Sequence, residues 1–377
     1  MRLHGAVSAP LLRSPAPPCP PVAARAATTG TEERGERHLP WWMLAIGVVV
    51  LVASVLGAVL VGPFDIPPKA IVLALVGRLP FVTVHDGLQP LAAAALFQIR
   101  LPRVVLGAMV GATLAVSGAA YQGVFQNALA DPYLLGVASG AGLGATAAIV
   151  LVHDPSAFAV NPVPLAAFVG AVIAVAATYV LGRSAGRARS PATLVLAGVA
   201  VAAFFTAVQT FLLQRNTAEL QQVYSWILGS LANSSWQQVG EVAPYVAIGV
   251  TVILLASRLL DVMSVGDEEA DSLGVRAERV RLAMVIAATL ATAAVVAVSG
   301  LIGFVGIVVP HAVRLCVGTS YRRIVPLSLL FGASFLIIAD VLARTVVAPG
   351  EIPIGVVTAA LGAPFFLVVL RQARRMP

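Results

Sequence analysis

Residues 282–313 read LAMVIAATLATAAVVAVSGLIGFVGIVVPHAV, 32 residues without a formal charge. One straight α-helix of that length would extend about 48 Å, against about 30 Å of bilayer hydrocarbon. A single span would therefore need steep tilt. The second half concentrates Ser299-Gly300, Gly303, Gly306 and Pro310, residues that turn or break a helix. The stretch is expected to form a span, a tight turn near 299–303 and a short returning span. This reading decides the topology, because it makes the chain ten spans and sets the side on which every later segment lies.

The rest of the chain agrees with a membrane solvent. Of 377 residues 59% are apolar and only 11% charged, with a mean hydropathy of +0.93. A soluble domain carries about 45–50% apolar and about 25% charged residues, so a surplus on this scale would expose large apolar patches to water. From Trp41 onward, apolar stretches alternate with short polar breaks. The candidate spans are 41–62, 103–126, 132–152, 162–182, 192–214, 240–258, 282–299, 303–317, 324–345 and 353–370. Small residues recur within them, as in Gly107-Ala-Met-Val-Gly111 and Gly136-Val-Ala-Ser-Gly140, a spacing that lets membrane helices approach closely or reflects only how common Gly is in such helices. Residues 1–40 form a separate zone rich in Pro, Ala and Arg, expected to be a disordered cytoplasmic tail ahead of a transmembrane domain at 41–377.

Charge asymmetry tests the count. With the amino terminus inside, cytoplasmic segments hold 18 of the 24 basic residues, and external segments hold 6: Lys69, Arg78, Arg100, Arg103, Arg215 and Arg344. That split follows the positive-inside rule. Nine spans would put Arg322, Arg323 and the Arg371–Arg375 cluster outside, against that rule, so ten spans with both termini inside is the expected arrangement.

The chemistry available is narrow. A nucleotide-binding P-loop needs Lys after a glycine-rich turn, and the one lysine, Lys69, follows Ile66-Pro-Pro. The histidines at 4, 38, 85, 153 and 311 never pair at i, i+4, and the cysteines Cys19 and Cys316 show no disulfide or metal spacing. A net charge of +7 distributed between apolar spans points to membrane orientation and not to nucleic acid. Ion-coupled transporters embed carboxylates at mid-membrane. Here Asp131, Asp340 and Arg344 all lie near expected span ends, with Asp340 and Arg344 at i, i+4. A charge-poor bundle suggests a pathway powered by another protein. An ion-coupled secondary transporter is the alternative, and a membrane enzyme a more distant one.

Two segments are candidates for partner contact. In the cytoplasmic stretch 258–281, Ser264 or Asp267 could cap a short helix whose acidic first turn, with Glu268 and Glu269, suits the helix dipole, and Gly274 could stop it. The segment is either a docking knob or a solvated connector. Externally, Arg100-Leu-Pro-Arg103 and Arg344 oppose the positive-inside trend. They would be balanced by an acidic partner, by headgroup snorkelling, or by local pairing with Asp340.

Several ordered blocks then resemble the FecCD-type permeases of ATP-driven importers for iron chelates, haem and vitamin B12. They are Arg100-Leu-Pro-Arg103, Gly118-Ala-Ala-Tyr-Gln122, Gln126-Asn-Ala-Leu-Ala-Asp-Pro-Tyr-Leu-Leu-Gly136, Asp271-Ser-Leu-Gly274, Ser299-Gly300, Gly303-Phe-Val-Gly306, Val309-Pro-His-Ala-Val-Arg314, Ala339-Asp-Val-Leu-Ala-Arg344 and the run from Glu351 to Phe365. The likeness covers about 41–375. Ala128 departs from the usual proline after Gln-Asn, which would let the second helix run slightly longer.

The resemblance implies an all-α permease of about ten transmembrane helices per subunit, the type II importer fold. It implies a homodimer in the cytoplasmic membrane, two ATPase subunits that carry ATP and Mg, and one extracytoplasmic substrate-binding protein. The chain itself would bind no cofactor and no metal and would catalyse no reaction. Arg100, Arg103 and Arg344 match positions that meet acidic residues of the binding protein. The loop 262–276, with Asp267, Glu268, Glu269, Asp271, Ser272, Leu273 and Gly274, matches the coupling helices that sit on the ATPase. Ser190, Pro191, Ala192 and Thr193 fall where the cytoplasmic gate lies, and the fifth and tenth spans line the pathway. The cargo expected is a ferric siderophore or other iron complex, then cobalamin or haem.

Overall fold

The computed structural model describes residues 41–62, 66–78, 88–152, 161–184 and 191–373. The expected tail and Ser190 lie outside these. Ten helices of 13 residues or more are present among the described residues: α1 Trp41–Leu60, α2 Pro90–Val124, α3 Val137–Leu151, α4 Pro162–Ser184, α5 Pro191–Arg215, α6 Trp236–Leu255, α7 Ala277–Ser299, α8 Val305–Val317, α9 Tyr321–Thr345 and α10 Ile354–Ala373. Seven are long and apolar enough to cross a bilayer, and α3, α8 and the Ile354–Val369 part of α10 are shorter apolar stretches. No strand occurs among the described residues.

The deciding stretch breaks as expected. α7 ends at Ser299, Gly300 takes a φ of +70° that favours glycine, and α8 begins at Val305. The direction of α8 follows from its contacts with α2. Arg281 Nε donates to Val124 O, and Ser117 Oγ donates to Ala288 O, so α7 runs antiparallel to α2. Gly306 lies against Gly118, and Arg314 donates to Gln122 Oε1, so α8 runs with α2 and returns.

The centre of the bundle is α2, with 83% of its apolar window buried against 17% for α1. Close approach is achieved through glycine. A Cβ on Gly111 would lie 2.2 Å from Gly332 O of α9, and one on Gly140 would lie 2.3 Å from Gly170 O of α4. In each expected small-residue pair it is the second glycine that makes the backbone contact. Gly136 instead adopts a left-handed φ of +89° to start α3.

Of the helix bounds that differ from the sequence reading, three have a clear local reason. α2 begins 13 residues before 103 because Pro102 does not break it: residues Ala95–Arg100 form a π-helical turn that absorbs the proline. In that π pattern Phe97 O would accept from residue 102, which has no N–H, and the indole Nε1 of Trp236 donates to it instead, at 2.7 Å. α6 begins at Trp236 and not 240, because Ser235 and Gln238 form a reciprocal capping box. At its other end α2 stops at Val124 and does not lengthen toward Ala128. Gln126 takes a left-handed φ of +50° and ends the helix.

Candidate functional site

Charged side chains gather at the two ends of the bundle. At one end stand Arg100, Arg103 and Arg344, brought together but buried at 3%, 8% and 7% exposure. Their partners lie within the chain. Helix α1 ends with unsatisfied carbonyls and the negative pole of its dipole. Arg100 Nη1 donates to Val59 O at 2.9 Å, and Arg344 Nη2 donates to Ala58 O at 2.6 Å. The two guanidiniums therefore cap α1.

Arg103 holds three elements. Its Nε and Nη2 donate to Asp340 on α9 at 2.8–3.1 Å, while Nη1 and Nη2 donate to Glu351, just before α10, at 2.8 and 2.9 Å. Asp340 also meets Arg344 at 3.6 Å, the i, i+4 pairing foreseen from spacing. Arg103 and Arg344 thus share Asp340, while Arg100 is held by main-chain carbonyls. Only Glu351 opens to solvent, with 37% of its side chain exposed, and the Arg103 guanidinium bonded to it holds its carboxyl below the usual carboxylate range. Direct docking through all three arginines meets a physical obstacle here, since each is buried and bonded within the chain. Among the described residues that face outward at this end are Glu351 and the exposed, apolar Val346 and Val347. The motif around Glu351 does not by itself announce this role. Its partner is 248 residues away, which no local spacing reveals.

At the opposite end the acidic segment forms two short helices, Ser257–Met263 and Asp267–Ser272. Neither Ser264 nor Asp267 caps the second. Its N-cap is Gly266, at a φ of +147°, and Ser264 Oγ donates to Asp261 O. Asp267 instead accepts two bonds of 2.7 Å from Arg281 on α7. Gly274, at a φ of +80°, turns the chain as expected, and Asp271 Oδ1 accepts from Ala277 N where α7 starts. Beneath lies a small apolar core of Met263, Ala270 and Ala277. Outward face Glu268, Glu269, Asp271, Ser272, Gly274 and, at 68% exposure, Leu273. An exposed leucine on an acidic, water-facing knob is a contact surface of the kind that protein partners cover.

The knob is bonded into the bundle at further points. Gln126 Nε2 donates to Met263 O, and Asp261 accepts from Ser320 Oγ and from the Tyr321 amide where α9 begins. Arg314 of α8 donates to Tyr321 Oη and to Gln122 Oε1, and Gln122 Nε2 donates to Gly306 O at the start of α8. A displacement of the knob thus reaches α2, α7, α8 and α9 through named hydrogen bonds. Asp261, Gln122, Arg281 and Arg314 were not singled out from sequence for this role. In the same region, burial pushes the Asp131 carboxyl up to about 6, opposed by the Tyr133 N–H that it accepts.

Of the expected gate, Ala192 is exposed and Thr193 half-buried in the first turn of α5. Helices α5 and α10 present apolar faces outward in the single chain, with Leu196, Phe204 and Phe211 on one and Leu361, Leu367 and Val368 on the other. Among the described residues no three His, Cys, Asp or Glu side chains stand together as a metal-ligand group.

With this geometry in place, the likenesses to known proteins are specific. The FecCD transport family matches residues 50–372. A cobalamin import system permease protein, BtuC, from Halobacterium salinarum is 40% identical, with 88% of this chain and 96% of that protein covered. The Fe(3+)-citrate import system permease protein YfmE of Bacillus subtilis is 34% identical, again over 88% and 96%. A solved metal-chelate type ABC transporter in an inward-facing conformation superposes with a TM-score of 0.76 at 26% identity, covering 88% of this chain and all of that one.

Proposed function

Since the chain belongs to the FecCD transport family, we propose that it carries a large metal chelate through the membrane by alternating access between its two ends. It is an all-helical, multi-pass permease of the ATP-binding-cassette importer class and is not itself an enzyme. Membership in that class implies a second permease copy, ATPase subunits that use ATP and Mg, and a substrate-binding protein. The observation that carries the reading is the acidic knob bonded through Asp267–Arg281 into α7 and through Asp261–Tyr321 into α9, with α2 and α8 joined to these by Arg281–Val124 and Arg314–Tyr321. A permease without its own nucleotide site needs such a contact to receive work from outside.

In this reading the knob end faces the cytoplasm, in keeping with the excess of arginine there, and both termini lie on that side. ATPase subunits seat on residues 262–276. The gate at Ser190, Pro191, Ala192 and Thr193 opens when α5 moves. The binding protein approaches the opposite end, where the Arg100, Arg103 and Arg344 cluster carries one positive charge more than its two carboxylates and attracts acidic residues at longer range. Iron siderophore, cobalamin and haem are the cargoes to be compared, because relatives named for cobalamin and for ferric citrate both align over nearly their whole length.

The test is reconstitution. Proteoliposomes holding the permease, its ATPase subunits and a binding protein should accumulate one of the three chelates only with ATP. Uptake without the ATPase, driven by an ion gradient, would sink the proposal in favour of a secondary transporter. A narrower check uses Leu273→Asp, which removes an exposed apolar contact without touching the core. Co-purification of the ATPase should fall by about tenfold or more, the usual scale for losing a central interface contact, while the thermal midpoint stays at the wild-type value. Undiminished ATPase binding would show that the knob is only a connector.

A further inference from the structure

Helices α1, α8 and α9 enclose a groove of about 630 Å³ that opens sideways from the bundle and is lined almost wholly by hydrocarbon. Its walls include Trp42 and Ile46 of α1, Val309 and Val313 of α8, and Phe331 and Phe335 of α9. Along α9 the lining runs from Leu327 to Ile338, about 16 Å at 1.5 Å per residue. Half of a hydrocarbon core of about 30 Å is about 15 Å, so the groove is as deep as one leaflet.

One end of the groove is chemically distinct. It lies at the knob end of the bundle, where α1 begins and α8 stops. Trp42, in the first turn of α1, has the amphipathic ring that settles at a membrane–water interface. Val317, the last residue of α8, lines the groove, and its carbonyl accepts from Arg323 Nη1 at 3.3 Å. Arg322 stands beside Arg323 in the first turn of α9. The Arg323 guanidinium and the Trp42 indole thus mark the entrance of an apolar slot of leaflet depth, with Arg322 next in the chain.

We propose that this groove binds one anionic phospholipid of the leaflet at the knob end, with an acyl chain between α1 and α8 and the phosphate at Arg322 and Arg323. Basic side chains at the interface draw anionic headgroups at about 1 kcal/mol each, and an apolar slot between helices is filled in a membrane by lipid tails. The occupant also does mechanical work. α1 packs mainly on α9 and is largely exposed, so a chain lying in the groove ties α1 to α8, the helix that the knob reaches through Arg314.

The full chain, purified in a neutral detergent, is incubated with phosphatidylglycerol or phosphatidylcholine and examined by native mass spectrometry and thermal unfolding. Wild type should keep one phosphatidylglycerol per chain with about thirtyfold preference over phosphatidylcholine and gain thermal stability from it. R322Q/R323Q should lose the preference while keeping its fold, as read from its unfolding without added lipid. A312W, or the milder S334L, should lower retention of both lipids by filling the slot. Equal retention of the two lipids by wild type overturns the proposal. So does unchanged preference in R322Q/R323Q. Two further results overturn it by naming another occupant: loss of self-association in A312W with lipid retention intact would assign the groove to a second copy, and a rise in lipid occupancy on removing residues 2–38 would assign it to the amino-terminal segment.

Discussion

Replacing Arg103 by alanine is expected to lower the unfolding free energy by about 3–5 kcal/mol, the range for breaking a buried ion pair from one side. Five hydrogen-bonding contacts to two carboxylates are lost together, and Asp340, 3% exposed, keeps Arg344 at 3.6 Å. The loss also frees the start of α10 from α2, so transport should fall further than stability alone would require. Removing both partners tells attraction from desolvation. An Arg103→Met, Asp340→Leu double variant should recover part of the loss, because an apolar pair of similar volume leaves no buried charge uncompensated. Chemical unfolding in mixed micelles measures both, and a single variant within about 1 kcal/mol of wild type would refute the anchoring role.

The pH dependence has a definite sign. Glu351 is held below its ordinary value by Arg103, so its contribution is present above that value and disappears as pH falls through the lower, folded one. Wild type and Glu351→Gln should therefore differ most at neutral pH and converge in acid below about pH 4. A gap that widens on acidification would contradict the pairing.

How far these contacts were legible depends on the distance along the chain that each one spans. The break at Ser299-Gly300 is local, and glycine and proline spacing reveals it without reference to the rest of the molecule. The capping box at Ser235 and Gln238 is equally local, and its motif stands in the sequence, although apolar content alone starts the span four residues late. Arg100, Arg103 and Arg344 were legible as exceptions to charge asymmetry, but not as buried groups. Their partners Val59, Glu351 and Ala58 are 41, 248 and 286 residues away. Only the topology brings α1, α2, α9 and the start of α10 to one point. The π turn at Ala95–Arg100 is hidden for a different reason. Pro102 reads as a helix stop, and the acceptor left over by its missing N–H is satisfied by Trp236, whose involvement no pattern within residues 90–124 announces.

Gly118→Ala is the second large effect, because here a single methyl meets main chain. A Cβ at residue 118 would lie 2.0 Å from Gly306 O and 2.5 Å from its C and Cα. Side chains can rotate away from such a contact, but the first turn of α8 can only move as a body. Overpacking commonly costs about 1–3 kcal/mol, and a backbone collision belongs at or above the top of that range. The displacement also has a chemical consequence. Gln122 Nε2 donates to Gly306 O at 3.1 Å and Gln122 Oε1 accepts from Arg314 at 3.0 Å, so moving Gly306 pulls on the path that joins α8 to the knob. Gly57→Ala is the control. Nothing lies within 4 Å of a Cβ there, and in a helix interior alanine is favoured over glycine by about 0.5–1 kcal/mol. Unfolding midpoints and ATP-driven uptake should drop sharply for the first variant and hold or rise slightly for the second. If both behave alike, the helices α2 and α8 are not in backbone contact. The knob would then have to act on the pathway through α7 and α9 alone, by way of Asp267–Arg281 and Asp261–Tyr321.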